Sequence, residues 1–180
     1  RSFYSPKKIE SPADLKGKKV RVQSSDTNVK MVEALGGAAV ILSYGEVYTA
    51  LQNGVIDVAE SPEIALVSHK HGEVAKFYSY DEHQIMPDML VASPKFMSSL
   101  SEEEKAVFEE GFKMCSEKER VEWDAEIDAV KEKALEMGVE FVDVDKEPFK
   151  ELLLPVTQKV LEENPDLKPL YDEIKQIQEN

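Results

Sequence analysis

Hydrophobic and polar positions alternate with two different periods along this chain, and the changes between them predict its elements. Ser11-Pro12 followed by "ADLKG" reads as a one-turn helix with a serine cap, proline at the first position and a glycine stop. "KKVRVQ" alternates with period two and is expected to be the first strand. Asp26 is expected to cap a helix running to Leu35 and closed by Gly36-Gly37. "AAVILS", "VIDVAE" and "AKFYSY" read as further short strands, separated by the helix "GEVYTALQNG" and by a helix opened by Ser61-Pro62-Glu63. "PDMLVAS" is a strand candidate. "SEEEKAVFEEGFKMCSEKERVEWDAEIDAVKEKALEMG" is one long helix, begun by a Ser101/Glu104 capping box and ended at Gly138. Its stripe of Phe108, Phe112, Cys115, Trp123, Ile127, Val130, Ala134 and Met137 is expected to serve as core. "VEFVDV" is a last strand, followed by helices over Pro148–Glu163 and Leu167–Gln178.

Short apolar strands alternating with helices predict an α/β fold with a mostly parallel sheet flanked by helices. Ligands of such sheets sit beyond the carboxyl ends of the strands. Gln23–Asp26 and Glu60–Glu63 fall there. One residue of the first strand breaks its apolar run. Arg21 stands between Val20 and Val22, and a parallel strand covered on both faces would bury its guanidinium. A buried charge requires a partner. That partner is either an acidic side chain of the protein or the carboxylate of a ligand, which a planar guanidinium meets with two bonds. Ser61, as a helix cap, and Tyr44, just before a helix, are candidates for the same cleft.

Charge narrows the class of partner. The chain of 180 residues has a net charge of -14, which argues against nucleic acid and anionic membrane surfaces. A small anion is not excluded, because repulsion is screened within about 8 Å at physiological salt. No run reaches the roughly 18 apolar residues of a membrane span. The chain opens at Arg1 without a methionine and reads as a mature or cut product. A single cysteine, Cys115, allows no internal disulfide and reads as a small apolar helix residue. His69 and His71, two apart, would point to different sides of a helix. They and His83 are expected on the surface, with no metal site and no cofactor. No Gly-rich phosphate loop and no nucleophile–histidine–acid set is present, so no catalytic residue is expected.

At these residues the chain resembles the substrate-binding proteins of TRAP (tripartite ATP-independent periplasmic) transporters. "RSFYSPKKIESPADLKGKKVRV" is similar to the family's run into its signature strand. "YGEVYTALQNGVIDVAESP" is similar to its "EvytALqxGvvDgxEnP" segment, and "GEVAKFYSYDEHQIMPDMLVAS" to the stretch that follows. The resemblance covers all 180 residues but only the later part, roughly 60%, of a family member. It implies a periplasmic-binding-protein-like, two-lobe architecture with an incomplete first lobe. Residues 1–84 would form the second lobe, 85–125 a strand and helix returning to the first, and 126–180 the rest of the lobe-bridging helix, the last strand and the closing helices.

The family's carboxylate-pairing arginine falls on Arg21, a second arginine on Arg1, the cleft aromatic on Tyr44, and the polar residue after the signature strand on Ser24. Ser61 stands where many members have asparagine, and serine lacks the amide donor. The implied protein is a monomeric, non-enzymatic receptor, exported to the periplasm or cell exterior, with a lipid anchor compatible. It would hand a small organic acid to the membrane subunits of a TRAP transporter, a sugar acid being favoured over a C4-dicarboxylate. Alone, these residues are expected to bind weakly or not at all, since half the cleft wall is missing. Two other classes remain open: a catalytic α/β domain acting on a carboxylate, and a helical interaction module over residues 101–138.

Overall fold

The structure, a computed structural model, describes residues 1–178. Residues 179 and 180, within the third expected segment, lie outside the described residues. Among the described residues six strands occur: β1 (Ser2–Ser5), β2 (Lys19–Val22), β3 (Ala38–Ile41), β4 (Ala59–Ser61), β5 (Phe77–Tyr80) and β6 (Glu140–Asp143). The helices are α1 (Asp26–Ala34), α2 (Val47–Gln52), α3 (Ile64–Ser68), α4 (His71–Val74), α5 (Pro94–Ser98), α6 (Glu102–Glu136), α7 (Glu147–Glu163) and α8 (Lys168–Gln178), with 3-10 turns at Pro12–Leu15, Tyr44–Glu46 and Pro165–Leu167.

β2 and β3 pair in parallel, and β4, β1, β5 and β6 form a four-stranded sheet in that order. A parallel bridge between Val20 and Val58, with the Arg21 N–H donating to the Val58 carbonyl at 2.8 Å, ties the two sheets side by side. The α/β class therefore stands, with one strand against the grain. β1 was not expected as a strand, and it runs antiparallel to both β4 and β5. Its beginning consequently lies at the edge of the sheet where the other strands end.

Successive residues of a strand face opposite sides, and this sorts the core. Phe3, Val20, Val22, Val58 and Phe149 pack on one face, while Tyr4, Ala59, Leu66, Tyr78 and Ala134 pack on the other. Arg21, between two fully buried valines, must point into the second layer, toward Tyr4 and Tyr44.

Four local expectations are corrected. Ser25 rather than Asp26 caps α1, its hydroxyl accepting from the Asn28 N–H at 3.5 Å. Ser61 ends β4 and caps nothing; α3 begins at Ile64 behind Glu63. "PDMLVAS" forms no strand, and residues 81–93 carry no helix or strand. A strand exists only when its N–H and C=O groups find a neighbour, and here Ile85, Met89 and Val91 lie at the surface, against no sheet edge. The stripe of α6 is core only near its end. Val130 and Ala134 are buried, whereas Phe108, Trp123 and Cys115 are exposed.

Candidate functional site

β2, β3 and β4 all end at one edge of the sheet, and the expected residues collect there. Arg21 is the second-last residue of β2, Ser24 follows it, Tyr44 follows β3, and Ser61 closes β4. Arg1 reaches the same edge from the opposite direction because β1 is antiparallel, its next residue Ser2 standing opposite Ser61.

Arg21 is 2% exposed and, among the described residues, makes no ion pair with an acidic side chain. Its Nε and Nη2 donate to the Leu42 carbonyl at 3.0 and 2.9 Å. Its Cζ lies 5.5 Å from the centre of the Tyr44 ring, within cation–π range. Nη1 is buried without a partner. Burial lowers the Arg21 pKa, Arg1 nearby adds to that, and Glu60 opposes it. The guanidinium nevertheless stays charged. A buried cation with one unsatisfied donor has the chemistry to take a charge-assisted bond from an anion.

Arg1 behaves differently. It grips Glu60 with two bonds, Nε to Oε2 at 2.6 Å and Nη2 to Oε1 at 3.0 Å, and Nη2 also reaches the Glu60 carbonyl at 3.2 Å. Glu60 is fully buried, and a second cation candidate stands behind it. His83 Nδ1 is 2.5 Å from Asp81 Oδ2, and its Nε2 is 3.8 Å from Glu60 Oε2, an ionic rather than hydrogen-bonding distance. The His83 ring stacks on Phe3 with centroids 4.3 Å apart. Asp81 also accepts the Phe3 N–H at 2.9 Å. Burial works to lower the His83 pKa, but the carboxylates of Asp81 and Glu60 outweigh it and raise it. Burial likewise works to raise the Glu60 pKa, and His83 and Arg1 bring it down. Arg1, Glu60, His83 and Asp81 thus form a chain in which cations and carboxylates alternate when His83 is protonated.

The other two expected residues are less engaged. Ser24 is exposed, and Ser61 is buried, its carbonyl accepting the Tyr78 hydroxyl at 2.8 Å. Beside Arg1 a cleft of about 520 Å³ opens between Pro62, Glu63, Met86 and the α6 residues Trp123, Asp124 and Lys131. Glu60, Asp81 and His83 were not singled out from the sequence. The only signal was their place in the compared segments, "VAESP" and "YDEH".

His69 is exposed as expected, but His71 and His83 overturn the expectation of surface positions. His83 is shut in, and so is His71, which sits 2.8 Å from the Tyr4 hydroxyl through Nδ1. Burial pushes His71 down to about 4, with His69 and Arg21 adding to the shift. Burial also raises Tyr4 well above its usual range, so the phenol stays protonated and donates. A histidine depressed in the folded state contributes stability that is present above the unfolded pKa of about 6.5 and lost as pH falls toward 4. We expect unfolding in urea at pH 7 and pH 4.5 to show a fall of about 2 kcal/mol from this residue. His71→Asn, which keeps an acceptor for Tyr4 but does not titrate, should lack that part of the fall. An unchanged pH dependence in the variant would disprove the assignment. Among the described residues, no group of three or more histidine, cysteine or acidic side chains could hold a metal ion.

Comparison with known proteins puts this site in context. The model of DctP, bacterial extracellular solute-binding protein family 7, matches residues 1–164. A TRAP periplasmic solute-binding protein from Anaerococcus prevotii, solved with bound α/β-D-glucuronate, superposes with a TM-score of 0.95 at 50% identity, covering 99% of this chain and 58% of that one. Another from a Sulfitobacter species, solved with β-D-galacturonate, gives 0.90 at 36% identity, covering 94% and 57%. An uncharacterized protein of Salmonella typhimurium, YiiZ, is 39% identical over 176 residues, which is 97% of this chain and 54% of the relative. The chain thus spans about half the length of the curated relatives it matches.

Proposed function

Since this chain belongs to the bacterial extracellular solute-binding proteins of family 7, we propose that it is the second-lobe part of a receptor that binds a sugar acid through Arg21 and delivers it to a TRAP transporter. The observation that carries this is the buried Arg21 guanidinium, which, among the described residues, has an unpartnered Nη1 and no carboxylate partner. A ligand carboxylate in front of it would take two charge-assisted bonds. Arg1 would add positive potential from the same edge, already oriented by Glu60. The Tyr44 ring would pack beside the acid, and Ser24 and Ser61 would supply further polar contacts. The relatives solved with glucuronate and galacturonate favour a uronate over a C4-dicarboxylate.

In this reading the protein breaks no bond. Its setting is the periplasm or the cell exterior, and its partners are the acid and the transporter's membrane subunits. No described helix is long and apolar enough to cross a membrane. Residues 1–84 then supply one wall of the cleft, and 85–125 lead toward a facing lobe that these residues do not contain. The apolar side chains left at the surface there, Ile85, Met89, Val91 and Phe96, support such a neighbour.

The test is thermal unfolding against hexuronates, aldonates, sialic-type acids and C4-dicarboxylates, run on these residues and on any longer chain that carries them. A ligand at a hundred times its dissociation constant adds about 2.7 kcal/mol of stability. We expect a saturable rise with a hexuronate in the longer chain and a small one or none in these residues alone. The absence of a rise with every acid in both would sink the proposal.

A further inference from the structure

Around Tyr44 lies a cluster of side chains that carboxylate binding alone does not use. His69 ends α3, His71 opens α4, and Lys70 between them has φ 58° and ψ 18°, a left-handed conformation that is strained for a lysine. In a continuous helix the two histidines would diverge. The left-handed residue instead brings both rings to one side, with centroids 5.9 Å apart. Both then meet Tyr44 edge-on, His69 at 4.6 Å and His71 at 5.6 Å, each at 67°.

The two histidines differ in what they have left to offer. His71 is buried and its Nδ1 is taken by the Tyr4 hydroxyl. His69 is exposed, and its Nδ1 lies 3.4 Å from the Tyr44 hydroxyl. With the imidazole neutral and its proton on Nε2, the phenol donates to Nδ1. The Tyr44 ring also faces the Arg21 guanidinium, 5.5 Å from its centre. The ring therefore contacts both a histidine and the arginine whose Nη1 lacks a partner among the described residues.

The geometry points to His69 as a positioning residue for the acid site. It fixes the Tyr44 phenol so that the ring stays over Arg21, which keeps the guanidinium oriented and shields the bound carboxylate from water. A charge-assisted bond strengthens where water is excluded, so His69 sets the affinity for the acid through the tyrosine it holds. The inference rests on the receptor reading above.

Three variants test it in the uronate-binding chain. His69→Asn places an amide oxygen where Nδ1 stood, His69→Phe keeps an aromatic edge but no acceptor, and His69→Ala removes both. Loss of one neutral hydrogen bond predicts that D-glucuronate and D-galacturonate affinities fall about three- to tenfold in the Ala and Phe variants. The Asn variant should return to within about threefold of wild type. In the ligand-free protein, the Tyr44 ring resonances should shift in His69→Ala and return toward their wild-type positions in His69→Asn. Two results would overturn the inference while leaving the receptor reading intact: equal affinities in wild type and His69→Ala when Arg21→Ala abolishes binding, or Tyr44 resonances indifferent to His69. Failure of the longer wild-type chain to bind any of the acids tested above would instead overturn the receptor reading, and this inference with it.

Discussion

Arg21→Ala is expected to abolish the stabilisation by the cognate acid while leaving the ligand-free protein nearly as stable as before. Both halves follow from what the guanidinium touches. On the ligand side, truncating one member of a buried, hydrogen-bonded charge pair costs about 2–5 kcal/mol, or roughly thirty- to several-thousandfold in affinity. On the protein side, Arg21 has no carboxylate to leave behind. Its bonds go to the Leu42 carbonyl, and its other neighbour is the Tyr44 ring. Loss of the hydrogen bonds is offset by release of a cation that burial already disfavours, so the ligand-free change should stay within about 1–2 kcal/mol. Denaturant unfolding with and without the acid checks both. A ligand-free loss of about 3–5 kcal/mol, the figure for a broken buried ion pair, would mean that Arg21 is structural.

Glu60→Gln should show the opposite profile. Glu60 is fully buried, receives two bonds from Arg1, and is 3.8 Å from His83, whose other nitrogen sits on Asp81. Removing its charge leaves the Arg1 cation and the raised His83 without their shared counter-ion, and about 3–5 kcal/mol should be lost. The pH dependence adds a second reading. A histidine whose folded pKa is raised contributes stability that is complete below the unfolded value of about 6.5 and disappears as pH rises through the folded pKa. Glu60→Gln should shrink that contribution, because one of the two carboxylates sustaining it is gone. Urea unfolding at pH 5.5 and pH 8.5 would measure it. A loss below about 1 kcal/mol at both values would show that Arg1 and His83 do not depend on Glu60.

Much of this protein was legible in its residues because the signals are local. A period-two run around Val20, a capping box at Ser101 and a glycine stop at Gly138 predict elements that form where expected. The burial of Arg21 followed from its place between two valines in a parallel strand. The misses share a different cause. "PDMLVAS" has the composition of a strand, but strand formation depends on a pairing partner that no local pattern supplies. Ser61 has the look of a cap, but the sheet claims it before a helix can start. His69 and His71 should diverge by helical geometry, yet a single left-handed residue turns them together.

By itself, then, the sequence determined the α/β class, the long helix, the burial of Arg21 and the likeness to acid receptors, all of which depend on local periodicity or on runs of adjacent residues. Only the tertiary structure decided which charges meet. β1 runs antiparallel to its neighbours, so Arg1, at its beginning, lands beside Glu60 and Ser61 at the ends of the parallel strands. The Arg1–Glu60 contact spans 59 positions and that of Phe3 with Asp81 spans 78. Strand direction and register set such contacts, and those depend on the packing of the whole sheet.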